Sequence, residues 1–243
     1  MPHLTSGTAL AGFGVPVHAG PAAVEWVELA RSDAPLHWVV ADTAGGPARR
    51  RDPRFAGAVD RLRTAGVRVL GRLNTAYGGR TFAQLVGEAH HFMDWYGITG
   101  FYLDQAPTDR DWLPECRRVI ATLHAMADGA DSHLVLGHGI HPHPGYAEAA
   151  DQLVTYLGPW TRYRWSQAPE WTADHPPERF CHLVHSVPRP HLETAMRIAR
   201  WQGAATVHFT DQDGGGGTDP WRELPSYWDE AVEMLHDQPP PSR

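Results

Sequence analysis

The stretch Ile98-Thr99-Gly100-Phe101-Tyr102-Leu103-Asp104 decides how the rest of the chain is read. It is apolar almost throughout, as a parallel strand buried on both faces must be, and it ends on an ionisable group. Upstream, Phe82, Leu85, Val86, Ala89, Phe92, Met93 and Tyr96 keep one apolar stripe at helical spacing, and Thr81 with Gln84 predicts a capping box at the start of that helix. Downstream, 111–127 reads as the next helix. The unit is therefore helix, strand, helix.

Working outward, the same alternation recurs. Candidate strands are 12–18, 36–42, 67–74, 98–104, 133–138, 152–157, 180–186 and 204–210, with helical stripes such as Leu192, Ala195, Met196 and Ala199, or Ser226 to Leu235, between them. The stretch 159–179, rich in proline and aromatic residues, reads instead as an extended loop with short helical pieces. Eight strand–helix units in 243 residues, close to the roughly 250 typical of the fold, predict a single (β/α)8 TIM barrel over 1–238 with a disordered tail at 239–243. An open doubly wound sheet would need a glycine-rich phosphate loop after the first strand, and His18-Ala19-Gly20-Pro21 is not one. Gly214 to Gly217 reads as a flexible linker or lid.

Composition removes several chemistries. All 21 basic residues are arginine, so no lysine exists to serve a Schiff-base aldolase, a pyridoxal-phosphate enzyme or a Walker-type phosphate loop; no cofactor is called for. A net charge of −7 argues against a nucleic-acid partner. No segment approaches the roughly 18 apolar residues of a membrane span, and no signal peptide is visible, so the expectation is a cytoplasmic protein with no membrane partner, or a secreted one if translation starts further upstream. Cys116 and Cys181 lack paired metal-ligand spacing and read as buried thiols. Nothing in the sequence sets an oligomeric state.

In a barrel of this kind, polar residues at the carboxyl ends of strands project into the active site. They are His18, Asp42, Asn74, Asp104 with Gln105, His138, Tyr156, His185 and Asp211, with Tyr77, Arg80 and Trp160 in the adjoining loops. Asp104 is the most pointed of these, being delivered by a rigid apolar strand to the barrel mouth, as a catalytic group or as an aspartate bonding loop amides. Asp42 and Asp211 share that placement and also suit loop capping. His18, His138 and His185 with Asp211 could be drawn as a metal site, but with 16 histidines some reach strand ends by chance, and hydrogen-bonding imidazoles are the alternative. Ten tryptophans, with Trp160, Tyr163, Trp165 and Trp171 clustered after the sixth strand, suit the C–H faces of sugar rings, or pin a long loop.

Six short blocks, in order along nearly the whole chain, resemble the spherulation-specific family 4 proteins, whose fungal enzymes form glycoside hydrolase family 135. They are Val15-Pro16-Val17, Gly71 to Arg80, Trp95 to Asp104, Pro144-Gly145-Tyr146, Val184-His185 and Asp219 to Trp228. The resemblance implies a glycosidase barrel acting on polysaccharide that contains galactosamine or its N-acetyl form. It also implies an Asp-Glu pair ending the fourth strand and a glutamate near the end of the sixth. Asp104 matches the first acid, Gln105 stands at the second, and Thr155-Tyr156-Leu157-Gly158 contains none. His18 replaces a usual tyrosine and His138 a usual asparagine. Because glycoside hydrolysis normally takes two carboxyl groups, three readings follow. The first is a divergent glycoside hydrolase centred on Asp104, with His18, Asp42, Asn74, Tyr77, Arg80, Gln105, His138, Tyr156, Trp160, His185 and Asp211 shaping the carbohydrate site. The second is a non-catalytic carbohydrate-binding barrel, and the third a metal-dependent hydrolase.

Overall fold

The computed structural model describes residues 10–17, 24–31, 33–43, 50–128 and 131–237. Eight parallel strands close into a barrel in sequence order: β1 Gly12–Val17, β2 Leu36–Ala41, β3 Val69–Asn74, β4 Gly100–Asp104, β5 Leu134–Gly137, β6 Gln152–Pro159, β7 Phe180–His185 and β8 Thr206–Phe209. Closure is made where Gly12 and Phe13 pair with Thr206 and Val207. Around them run α1 Glu25–Leu29, α2 Pro53–Thr64, α3 Phe82–Tyr96, α4 Leu113–Met126, α5 Trp160–Tyr163, α6 Leu192–Trp201 and α7 Trp228–His236. Most strands are a residue or two shorter than the sequence suggests, whereas β6 runs two residues longer. The tail at 239–243 lies outside the described residues.

Side chains alternate across each strand, and this divides the core in two. Inward residues Trp38, Val40, Leu70, Tyr102, Val135, Val154, Cys181 and Leu183 fill the barrel, topped by Trp221. Outward residues such as Val39, Leu73, Phe101, Leu103 and Leu136 join the helical stripes, among them Leu85, Ala89, Phe92 and Tyr96 of α3. That helix begins with the predicted capping box, Thr81 accepting from the Gln84 N–H and Gln84 from that of Thr81. It ends at Gly97, whose φ of 63° is the left-handed cap that glycine adopts without a Cβ penalty. Inside the barrel, a Cβ on Gly137 would stand 2.6 Å from the Tyr102 hydroxyl, so glycine there lets the tyrosine lie across β5.

One irregularity decides what faces the mouth. The pairing of β6 with β7 shifts between Val154 and Tyr156, a bulge that places Thr155 out of register. Beyond it, Leu157 pairs with inward Leu183, while Tyr156 pairs with His182 and turns outward onto Tyr163. Among the described residues, no helix is long and apolar enough to cross a membrane.

Candidate functional site at the barrel mouth

The inward alternation continues to the strand ends, so the top layer on β2, β3 and β4 consists of Asp42, Arg72 and Asp104. Register brings them side by side: Ala41 pairs with Gly71, Arg72 with Tyr102, and Asn74 with Asp104. Arg72 Nη1 donates to Asp42 Oδ2 at 2.7 Å, while Nε and Nη2 donate to Asp104 Oδ2 at 3.0 and 2.5 Å. The side chains are 23%, 11% and 15% exposed for Arg72, Asp42 and Asp104, so this is a largely desolvated ion cluster rather than a surface pair. Burial works against the charge on Arg72, but Asp104 and then Asp42 outweigh it and raise the guanidinium pKa further above its ordinary value. Because both carboxylates touch one guanidinium, their bonded oxygens lie within about 8 Å of each other, no farther apart than glycosidase carboxyl pairs reach. Below them the buried Tyr102 hydroxyl is pushed well above its usual pKa, by desolvation first and by the Asp104 charge second.

Over this layer opens a cavity of about 380 Å³ lined by Pro16, Arg72, Tyr77, Tyr102, Asp104, Gln105, Gly137, His138, Gly139, Ile140, Leu157, Leu183 and Trp221. Its volume falls in the range of small-molecule sites. The walls differ: β3 and β4 contribute the ion cluster, whereas β5 and β6 contribute Ile140 and Leu157, both exposed to solvent at the rim. Tyr77, 71% exposed, stands over the charged side. A second cavity, of about 450 Å³, lies at the opposite end of the barrel, around Arg63, Arg68 and Asp131. That end carries stability rather than chemistry in barrels of this kind.

His138 lies against the mouth with its Nδ1 3.2 Å from the Ala106 carbonyl. A carbonyl only accepts, so Nδ1 carries the proton and Nε2 offers a lone pair, which has no partner among the described residues. Burial pushes this imidazole down to about 4, against the opposing pull of the Ala106 and Pro107 carbonyls, so it is neutral at physiological pH.

Of the residues picked out from sequence, the cavity gathers Asp104, Gln105, Tyr77 and His138, and Asp42 reaches it through Arg72. The others have different occupations. Asn74 Oδ1 accepts from the Ala76 N–H, and Arg80 is held by Glu88 at 2.5 Å and by the Asn74 carbonyl. Tyr156 is turned outward by the bulge and donates to the Pro159 carbonyl. Trp160 is buried against Tyr163 and stacks on His191, so the aromatic cluster after β6 chiefly pins its loop. His185 contacts Ser186, which donates to Asp213, and burial lowers its pKa against the pull of Asp213. Asp211 accepts from the Ser226 hydroxyl and N–H, tying down the loop after β8. His18 lies outside the described residues. Among the described residues no group of three His, Cys, Asp or Glu stands close enough to hold a metal ion.

Arg72 and Trp221 are among the lining residues that were not picked out as site candidates in advance. Arg72 had a signal, a charge inside the apolar run Val69-Leu70-Gly71-Arg72-Leu73, which a barrel interior tolerates only with partners. Trp221 lies far along the loop after β8 and is carried back over the barrel by it. There it packs on His208 and His185. The segment Gly214 to Gly217 is not a bare linker either: it forms a short 3-10 turn at Gly215–Gly217, held by Asp213 and Thr218.

Comparison with known proteins agrees with this architecture. The profile of the spherulation-specific family 4 matches residues 14–235. No curated protein matches the sequence. Among solved structures, Aspergillus clavatus Sph3, crystallised in complex with GalNAc, superposes with a TM-score of 0.78 at 20% identity, covering 93% of this chain and 98% of that one. The Bacillus cereus spore cortex-lytic enzyme SleL gives 0.56 at 9% identity, covering 94% of this chain and 75% of that one. A glycosyl hydrolase family 2 member from Bacteroides cellulosilyticus gives 0.51 at 11% identity, covering 84% and 28%. These likenesses show the barrel. With the family profile spanning almost all of the described barrel, this chain belongs to spherulation-specific family 4.

Proposed function

We propose that this protein is a glycoside hydrolase-like barrel that takes an amino-sugar-containing polysaccharide, of the galactosamine or N-acetylgalactosamine type, into the mouth around Asp104. The observation that carries the reading is the pairing of opposite surfaces in one cavity: the Arg72–Asp104 cluster on one wall, exposed Tyr77, Ile140 and Leu157 around the rim. A pyranose needs both, because its hydroxyl edge exchanges hydrogen bonds while its C–H faces seek apolar cover. Arg72 donates and Asp104 accepts, so adjacent hydroxyls can be read together. The amino-sugar identity is supported by family membership and by the GalNAc held in the structurally similar Sph3.

The geometry favours recognition over cleavage. Asp104 is the single carboxylate among the described residues lining the cavity, and its Oδ2 already accepts two guanidinium N–H groups. Gln105 can neither supply nor remove the proton that glycoside hydrolysis moves, and the bulge directs Leu157 to the mouth from an acid-free strand end. Hydrolysis is the second reading, favoured by the closeness of Asp42 to Asp104; it would need Asp42 or the substrate's own acetamido group to act as partner. Incubation of the purified chain with N-acetylgalactosamine oligosaccharides separates the two. Saturable binding without new reducing ends supports recognition alone. New reducing ends that vanish in Asp104→Asn support hydrolysis, and no binding by the wild type overturns both.

A further inference from the structure

The loop between β3 and α3 is built at a conformational cost. Ala76 and Tyr77 take φ of 49° and 53°, and Gln105, across from them at the end of β4, takes 53°. Three non-glycine residues in the left-handed region, at the ends of adjacent strands, are each disfavoured by about 1 kcal/mol or more and persist only where surrounding contacts fix them. Those contacts converge on one point. The Gln105 carbonyl accepts from the Tyr77 N–H at 2.9 Å and from the Thr75 hydroxyl at 2.6 Å, and the Thr75 N–H donates to the Asp104 carbonyl at 2.9 Å. Thr75 is fully buried, so its hydroxyl serves the loop and not solvent. Yet the residue whose backbone is held this firmly, Tyr77, has a side chain that is 71% exposed and lines the cavity. An aromatic ring left largely in water, on a backbone locked to the strand that carries Asp104, gains nothing for the fold.

We infer that Tyr77 is the specificity-determining plate of the mouth, fixed there by Thr75 and by the main chain of Gln105, and that it selects galacto-configured rings; this rests on the glycan reading above. A galacto ring, with its axial 4-hydroxyl, gathers the C–H bonds of C3, C4 and C5 on one face. A gluco ring divides them between two. A plate carried on a fixed backbone beside the ion cluster rewards the first arrangement, while Asp104 and Arg72 take the hydroxyl edge. Thr75 is a positioning residue, acting through Gln105.

Calorimetric titration with N-acetylgalactosamine and with its gluco epimer tests this. For Tyr77→Ala the expected result is a tenfold or greater loss of affinity for N-acetylgalactosamine and a preference over the epimer that falls toward parity, with the unfolding midpoint unchanged. Tyr77→Phe should retain both. Thr75→Val, close in shape, should lose affinity several-fold alone and nothing further in the Tyr77→Ala background, a pattern that general loosening of the fold would not produce. If the wild type binds and Tyr77→Ala keeps both affinity and preference, the inference is overturned while the glycan reading stands. If the wild type binds neither sugar, the underlying reading fails and this inference with it.

Discussion

Replacing Arg72 with methionine removes the cation that bridges Asp42 and Asp104 and keeps most of the side-chain volume. Two effects follow. Three charged hydrogen bonds disappear, and two carboxylates within about 8 Å of each other lose the guanidinium between them, in a layer where none of the three groups is more than 23% exposed. At the effective dielectric of about 20 suited to such sites, their mutual repulsion alone amounts to roughly 2 kcal/mol. Removing one member of a buried ion pair costs about 3–5 kcal/mol, and the partial exposure of Arg72 places the expectation near 3. Urea unfolding at pH 7 measures it, a fall in midpoint at unchanged slope reporting stability and not compactness. Asp104→Asn removes one of the opposed charges, so the double variant should be less unstable than the two single losses summed, by about 2 kcal/mol. A loss below about 1 kcal/mol for Arg72→Met, or additivity within about 0.5 kcal/mol, would refute the claim that this cluster is a coupled electrostatic unit.

Further expectations follow from the same geometry. His182 and His208 are fully buried and desolvation pushes each down to about 3, as it pushes His138 to about 4, so all three stay neutral in the fold but take up protons when unfolded below about pH 6.5. The histidines' contribution should therefore be fully present above that pH and decline as pH falls toward 3–4, by about 2–3 kcal/mol per histidine at pH 4.5. His208→Phe, at a site where Nδ1 makes no hydrogen bond among the described residues, should shrink the decline by about a third; an unchanged unfolding profile between pH 7 and 4.5 would contradict this. Thr81→Ala deletes half of the capping box on α3 and should cost about 1 kcal/mol in thermal or urea unfolding without altering glycan affinity.

The barrel was legible because parallel strands buried on both faces leave near-continuous apolar runs, and eight such runs survive reading by eye. Asp104 was legible for a related reason: a charge that closes such a run has only the mouth to enter. What sequence could not supply was the direction of side chains near irregularities. A single extra residue at Thr155 exchanges Tyr156 for Leu157 at the mouth, and nothing in Val154-Thr155-Tyr156-Leu157 announces that bulge. Trp160 and its neighbours carried the right chemistry in the wrong place, since a tryptophan in a long loop is as useful for anchoring the loop as for meeting a sugar. Arg72 could have been found by asking where an arginine inside an apolar strand puts its charge. The answer, two strand-end aspartates on either side, was already present in the sequence once the register was known.

On the reading proposed above, the mouth around Asp104 is a carbohydrate site. A crystal structure of the protein with an N-acetylgalactosamine oligosaccharide, paired with the Asp104→Asn variant under the same conditions, tests it most directly. The expected result is a sugar ring within hydrogen-bond distance of Asp104 and Arg72, one face against Tyr77, and no ring there in the variant. A ring bound elsewhere on the barrel, or one that occupies the mouth equally well without the Asp104 carboxylate, would contradict it.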